Sequence, residues 1–146
     1  MIGEDMQREL QSIMVQIEDQ KAQHGQLARQ AQILEEGLAE INATREAIKS
    51  VKEQKPGTNI LVPLGSGSFL KGTLADNKTL LLGIGAGVTI EKSLPEADKF
   101  LEEKNKEMVK TLEKIRTDLE NVGKTITALN QHAEIRVQEL RAKEQK

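Results

Sequence analysis

Apolar residues fall at alternating steps of three and four from Leu10 to Ile48, and again from Leu94 to Leu140. Such a ladder lines one stripe of a helix, and the stripe needs a partner stripe, as in a coiled-coil seam. Between the ladders lie roughly forty residues rich in Val, Ile, Leu and Thr and broken by glycines, a strand-and-turn composition. A chain built this way goes out along one helix, turns through a small sheet and comes back along another. The expected fold class is α+β: a long antiparallel two-helix coiled coil joined by two tandem β-hairpins.

The first helix is expected over residues 4–54. Its seam runs Leu10, Ile13, Ile17, Gln20, His24, Leu27, Ala31, Leu34, Leu38, Ile41, Arg45, Ile48. Lys55-Pro56-Gly57 ends it, because proline disfavours helix in the residue before it and glycine suits the cap. Gly25 and Gly37 lie inside and each cost roughly 1 kcal/mol relative to Ala. The hairpins are expected over 58–92. Thr58 to Leu64 pairs with Phe69 to Ala75 around Gly65-Ser66-Gly67, and Thr79 to Ile84 pairs with Val88 to Lys92 around Gly85-Ala86-Gly87. The halves align at an offset of eighteen, Leu64-Gly65-Ser66-Gly67 on Leu82-Gly83-Ile84-Gly85. Isolated two-stranded hairpins are marginal in water, so these need partners. The apolar residues offered for oligomerisation are Ile60, Val62, Leu64, Phe69, Leu70, Leu80, Leu82, Ile84, Val88 and Ile90. Ser93 and Glu96 have capping-box spacing and Pro95 suits a first turn, opening a second helix over 94–143. Helices of this length span roughly 70 Å at 1.5 Å per residue. Together the three segments read as one domain.

Folding the helices back to back gives apolar layers such as Ile48 with Leu101, Ile41 with Met108, Leu34 with Ile115 and Leu27 with Val122. Beyond these the matches worsen: His24 with Ile126, Gln20 with Leu129, Ile17 with Ala133, Ile13 with Arg136. The helix ends remote from the hairpins are therefore expected to fray. The large apolar residues that miss both seams are Ile2, Met14, Val15, Ile33, Val51, Phe100, Val109, Ile135 and Val137. Val51 and Phe100 can pack on the sheet. Five of the rest gather at the fraying end, with Met1 and Met6. Exposed apolar patches mark interaction sites, and methionine suits surfaces that take varied partners. The residues expected to bind there are Ile2, Met6, Leu10, Met14, Val15, Ile135, Val137 and Leu140.

Chemistry is harder to find. The chain of 146 residues has no Trp, no Tyr and two Phe, so a compact enzyme-like core is not expected. Net charge is −2, without the basic footprint of a nucleic-acid binder. Absence of Cys excludes disulfides and thiolate metal sites. No signal peptide or membrane-length apolar run is read, so an intracellular, cytoplasmic protein without membrane contact is expected. Gly83-Ile84-Gly85-Ala86-Gly87 has part of a nucleotide-loop pattern but precedes a strand, and reads as a turn. Gly123-Lys124-Thr125 has the end of a P-loop but interrupts no helical seam. His24 and His132 fall about a heptad apart, too far to share a metal. His24 is expected in a weak seam layer and His132 in solvent. Acidic neighbours such as Glu35-Glu36 face different directions. Arg45, Asp98 and Asn105 are polar seam residues expected to pair and fix register. No catalytic residue, metal ligand or cofactor is expected.

The stretch Leu61-Val62-Pro63-Leu64-Gly65-Ser66-Gly67-Ser68-Phe69-Leu70-Lys71-Gly72 resembles the first hairpin of the alpha class of prefoldins. Gly83-Ile84-Gly85-Ala86-Gly87-Val88-Thr89-Ile90-Glu91-Lys92, followed by Pro95-Glu96-Ala97, resembles its second hairpin and the restart of the helix. Two hairpins resemble the alpha rather than the beta class, in its archaeal form. The resemblance implies a hexamer of two alpha and four beta subunits, with hairpins joined into a double β-barrel and six coiled coils hanging from it. It implies an ATP-independent chaperone that holds non-native proteins at its tips and passes them to a group II chaperonin. The tips carry no family motif, so the binding residues named above come from this sequence. The rival readings are a structural coiled-coil tether or filament-forming relative, whose seam would be well matched to its ends, and an enzyme with a site in the sheet.

Overall fold

The computed structural model describes residues 2–146; Met1 lies outside the described residues. Helix α1 runs Ile2–Glu53 and helix α2 runs Leu94–Glu144. Between them come β1 (Asn59–Gly65), β2 (Ser68–Thr73), β3 (Thr79–Gly85) and β4 (Val88–Ser93). Each hairpin is its own two-stranded antiparallel sheet, β1 with β2 and β3 with β4. The chain divides into two compact units. A central unit comprises Glu36–Val109, and a terminal unit comprises the residues up to Glu35 and those from Lys110 onward. In both, α1 and α2 pack together.

In the central unit α1 ends where the sequence stops it. Gly57 takes a φ of 87°, and its N–H donates to the carbonyl of Leu74, turning the chain into β1. The two hairpins then repeat one turn. Ser66-Gly67 and Ala86-Gly87 all have positive φ, the geometry that matches strand twist in a two-residue hairpin loop. In each hairpin the register shifts before the turn, leaving Leu64 and Ile84 as the extra residues of a bulge. The repeat distance, from Asn59 to Thr79 and from Gly65 to Gly85, is therefore twenty residues, not the expected eighteen. The shorter offset matched Gly67 with Gly85 by letter, whereas the turns correspond at Gly65 and Gly85, both with φ above 100°.

Asp76 knits the connector between the hairpins. Its carboxylate accepts the backbone N–H groups of Lys78 (2.8 Å) and Thr79 (3.0 Å), and these bonds hold its pKa below the usual carboxylate range. Asn77 Nδ2 donates to the carbonyl of Gln54, tying the connector to the end of α1. Ser93 caps α2, its hydroxyl accepting the Glu96 N–H at 3.2 Å as the capping spacing predicts. The core of this unit is Ile41, Ile48, Leu82, Leu94, Ala97 and Leu101, with Val51, Leu80, Phe100 and Met108 packed against it. Ala97 is fully buried, and a Cβ on Gly37 would stand 2.7 Å from Met108 Cε, so small residues let the helices approach closely here.

In the terminal unit the seam continues as far as Met6 of α1 and Lys143 of α2. Met6, Ile13, Ile17, Ala31, Leu112, Ile115 and Val122 are buried. The expected fraying is not found: Ile13 is 3% exposed, and helix persists to Glu144. Arg136 supplies the physical reason. Sequence pairs it with Ile13 and makes it a charge in the seam, but a long side chain can lay its stem on apolar surface and carry its head to the edge. The guanidinium donates to Glu9 at 3.0 Å and Glu139 at 2.7 Å, and these partners, Glu139 first, raise its pKa further. His132 stands 3.7 Å from the same Glu9 carboxylate. His24 is exposed rather than on the seam; its neighbour Gly25 is the more buried of the two.

Candidate interaction surfaces

Two apolar surfaces lie outside the cores. The first is on the hairpins. Of the residues expected there, Ile60, Val62, Leu64, Phe69, Leu70, Ile84 and Val88 are exposed, and Leu80 and Ile90 are half-buried. Leu82, expected with them, is the one largely covered within the chain itself. It is 8% exposed because β3 turns alternate residues, Leu80 and Leu82, onto the helices. The same alternation sends Leu81 outward, 74% exposed, and Leu61 likewise at 63%. Both were omitted by sequence reasoning, although period-two counting from Leu80 and Ile60 locates them. In the first hairpin Val62 faces Leu70 across the ladder and Pro63 faces Phe69, so both faces of one ribbon carry apolar side chains.

The second surface lies on the terminal unit. Ile2, Met14, Val15 and Ile135 are exposed, and Leu10, Val137 and Leu140 are half-buried. Met6 is 8% exposed and joins the seam, which Met6, Leu10, Ile13 and Ile17 extend one turn beyond the expected start. An open groove of about 380 Å³ joins Leu10, Met14 and Ile17 of α1 to Ala133 and Val137 of α2, with Glu18, Lys21, Asn130 and Glu134 completing its lining. Val15 and Ile135 are not among its walls. A second groove is lined by Ile2, Met6, Ala142 and the charged Arg136, Glu139, Lys143 and Lys146. Sequence reasoning missed Ile17 and Ala133 as groove residues, because a residue counted once as seam was not counted again as floor.

Polar residues on the seam set register in the central unit. Arg45 Nε donates to Asp98 Oδ1 at 2.9 Å, and Asn105 Nδ2 donates to Asn42 Oδ1 at 3.0 Å. The hydrogen bond from Arg45 holds the Asp98 carboxyl below its ordinary pKa, against a smaller opposing effect of burial. A depressed carboxylate pKa contributes stability above the unfolded value, about 3.9, and that contribution is lost as pH falls through the lower folded value. Asp98→Asn is therefore expected to melt slightly earlier at pH 7 and to lose less stability than wild type between about pH 4 and pH 2. Thermal melts by circular dichroism across that window check it; parallel acid limbs for the two proteins would refute the pairing.

No group of three or more His, Asp or Glu with metal-binding proximity occurs among the described residues. Gly83 and Gly85 belong to β3, and Gly123-Lys124-Thr125 lies within α2, where Thr125 donates to the carbonyl of Asn121 and Lys124 pairs with Glu120 one turn back. No helix among the described residues is long and apolar enough to cross a membrane.

Paired helices joined through twin hairpins, with apolar faces on the hairpins and near the chain ends, define a coiled-coil interaction protein. A family model described as prefoldin subunit matches residues 20–139, and the chain belongs to that family, one of non-enzymatic chaperones. Within it the chain falls in the alpha class. It is 34% identical over 122 residues to the prefoldin alpha subunit of Pyrococcus horikoshii, covering 82% of this chain and 81% of that one. It is 25% identical to the alpha subunit of Methanobrevibacter smithii, covering 88% and 87%. A solved structure of filamentous prefoldin from Methanocaldococcus jannaschii shares the fold with a TM-score of 0.52 at 22% identity, covering 84% of this chain and 95% of that one.

Proposed function

We propose that this chain is the alpha subunit of a cytoplasmic, ATP-independent holdase. Its hairpins join those of prefoldin beta subunits in a hexamer of two alpha and four beta chains, closing the open ribbons into a barrel base. Non-native proteins are held at the terminal units and passed to a group II chaperonin. Membership of the alpha class supports the assembly. The observation that carries client capture is the exposure of Met14, Val15 and Ile135 on a unit that also holds an apolar groove lined by Met14, on a chain whose helices are otherwise heavily charged. Weak apolar contacts of this kind add through multivalency across arms, and holding an unfolded client lowers the free concentration available to aggregate.

The test is light scattering of a chemically denatured client diluted into the assembled hexamer without nucleotide. Protection is expected, and the double variant Met14→Ser with Val15→Ser should need several-fold more hexamer for equal protection while sizing identically. Equal protection by the variant would remove these residues from the binding surface. A tether reading has one observation in its favour, the pairing of the helices as far as Met6 and Lys143. A tether would show no protection with either protein.

A further inference from the structure

Glu18 of α1 and Glu134 of α2 line the groove floored by Leu10, Met14 and Ile17, one carboxylate from each helix. Neither closes an ion pair among the described residues, whereas Glu9 and Glu139 are both held by Arg136. Lys21 is the single cation among the lining residues and stands three positions from Glu18 without closing a bridge to it. The groove therefore sets an apolar floor under a lining with net negative charge. The second groove has the reverse character. Arg136, Lys143 and Lys146 line it, and its one carboxylate, Glu139, is already neutralised by Arg136.

We propose that the groove between Glu18 and Glu134 selects unfolded segments in which a short apolar stretch is flanked by Lys or Arg. This rests on the holdase reading above and names the class of client segment it favours. The floor takes any apolar side chain, since burial of apolar area is non-directional. The free carboxylates add what the floor lacks: attraction for cationic flanks, faster encounter, and repulsion of acidic ones. The effect is moderate, because both carboxylates remain in contact with solvent and salt screens them.

The experiment uses the purified full-length chain and three fluorescein-labelled peptides. The peptides share one Leu/Val/Phe core and are flanked by paired Lys, paired Ser or paired Glu. Anisotropy titrations at low salt should show the Lys-flanked peptide binding about fivefold tighter than the Ser-flanked one, as two exposed charge pairs would give. The Glu-flanked peptide should bind weakest, and the spread should close at high salt. Glu18→Gln with Glu134→Gln, which leaves Lys21 as the one charge in the lining, should abolish the preference for the Lys-flanked peptide over the Ser-flanked and Glu-flanked ones. Equal affinities for the three peptides, or an undiminished spread in the double variant, would overturn the proposal while leaving apolar capture standing. Failure of all three peptides to bind would overturn both. Native cytochrome c, folded and cationic, should not displace the Lys-flanked peptide; displacement would show a cation site with no apolar component and overturn the selection of unfolded segments.

Discussion

Leu82→Asp is expected to unfold the central unit, whereas Leu64→Asp leaves the chain folded and blocks its assembly. Leu82 packs with Ile41, Ile48, Leu94, Ala97 and Leu101 and is 8% exposed. Losing a buried leucine forfeits about 1.5–3 kcal/mol of apolar burial. A carboxylate in its place must be desolvated without a partner or take up a proton, and either costs several kcal/mol more. The sum is of the order of the whole stability of a small domain, about 5–15 kcal/mol. Leu64 is the bulge residue of the first hairpin and is 62% exposed, so a charge there stays in water as long as the chain is alone. Only when a neighbouring subunit covers the ribbon does the charge become costly. Circular dichroism of the isolated variants separates fold from assembly, and size-exclusion chromatography with a prefoldin beta subunit completes the comparison. A Leu82→Asp chain that melts with wild-type cooperativity would contradict the core assignment. A Leu64→Asp chain that assembles normally would contradict the proposed role of the first hairpin.

The helices, their seam and the hairpins were legible because each obeys a local rule. Steps of three and four give the seam, Pro56-Gly57 ends α1, Ser93 caps α2 at the observed bond, and the glycine triplets turn both hairpins. Arg45 and Asp98 pair as their seam positions suggest. What was not legible depended on side chains choosing between surfaces. Leu82 and Leu81 have the same side chain and differ only in the face the pleat assigns them, and that face is decided by where the helices lie. Arg136 reads as a seam defect until Glu9, far away in sequence, supplies its partner. The offset between the hairpins went wrong because Gly-x-Gly recurs within each repeat, so matching letters could not fix which glycine takes the positive φ of the turn. The groove was invisible for a related reason: Ile17 and Ala133 serve the seam with one edge and the groove with another.

Ile13→Asp carries the second large effect, and it separates two ways in which the terminal unit could hold a client. If apolar segments were gripped between opened helices, a charge that unzips the ends would preserve or increase capture. If they lie on a paired coil, as proposed above, the same charge destroys the floor, because Leu10 and Ile17 flank Ile13 on the seam and line the groove. Ile13 is 3% exposed, and burying an uncompensated carboxylate there is expected to cost more than about 3 kcal/mol. The local pairing that Met6, Ile13 and Ile17 maintain should not survive that. Hydrogen exchange should then show protection lost in the first turns of α1 and the last turns of α2, with the central unit unchanged. The hairpins belong to the central unit, so assembly with a prefoldin beta subunit should persist. In the light-scattering assay, protection should fall at least as far as with Met14→Ser and Val15→Ser together. Protection that rises on unzipping would instead place the client between the helices and leave the groove without a role.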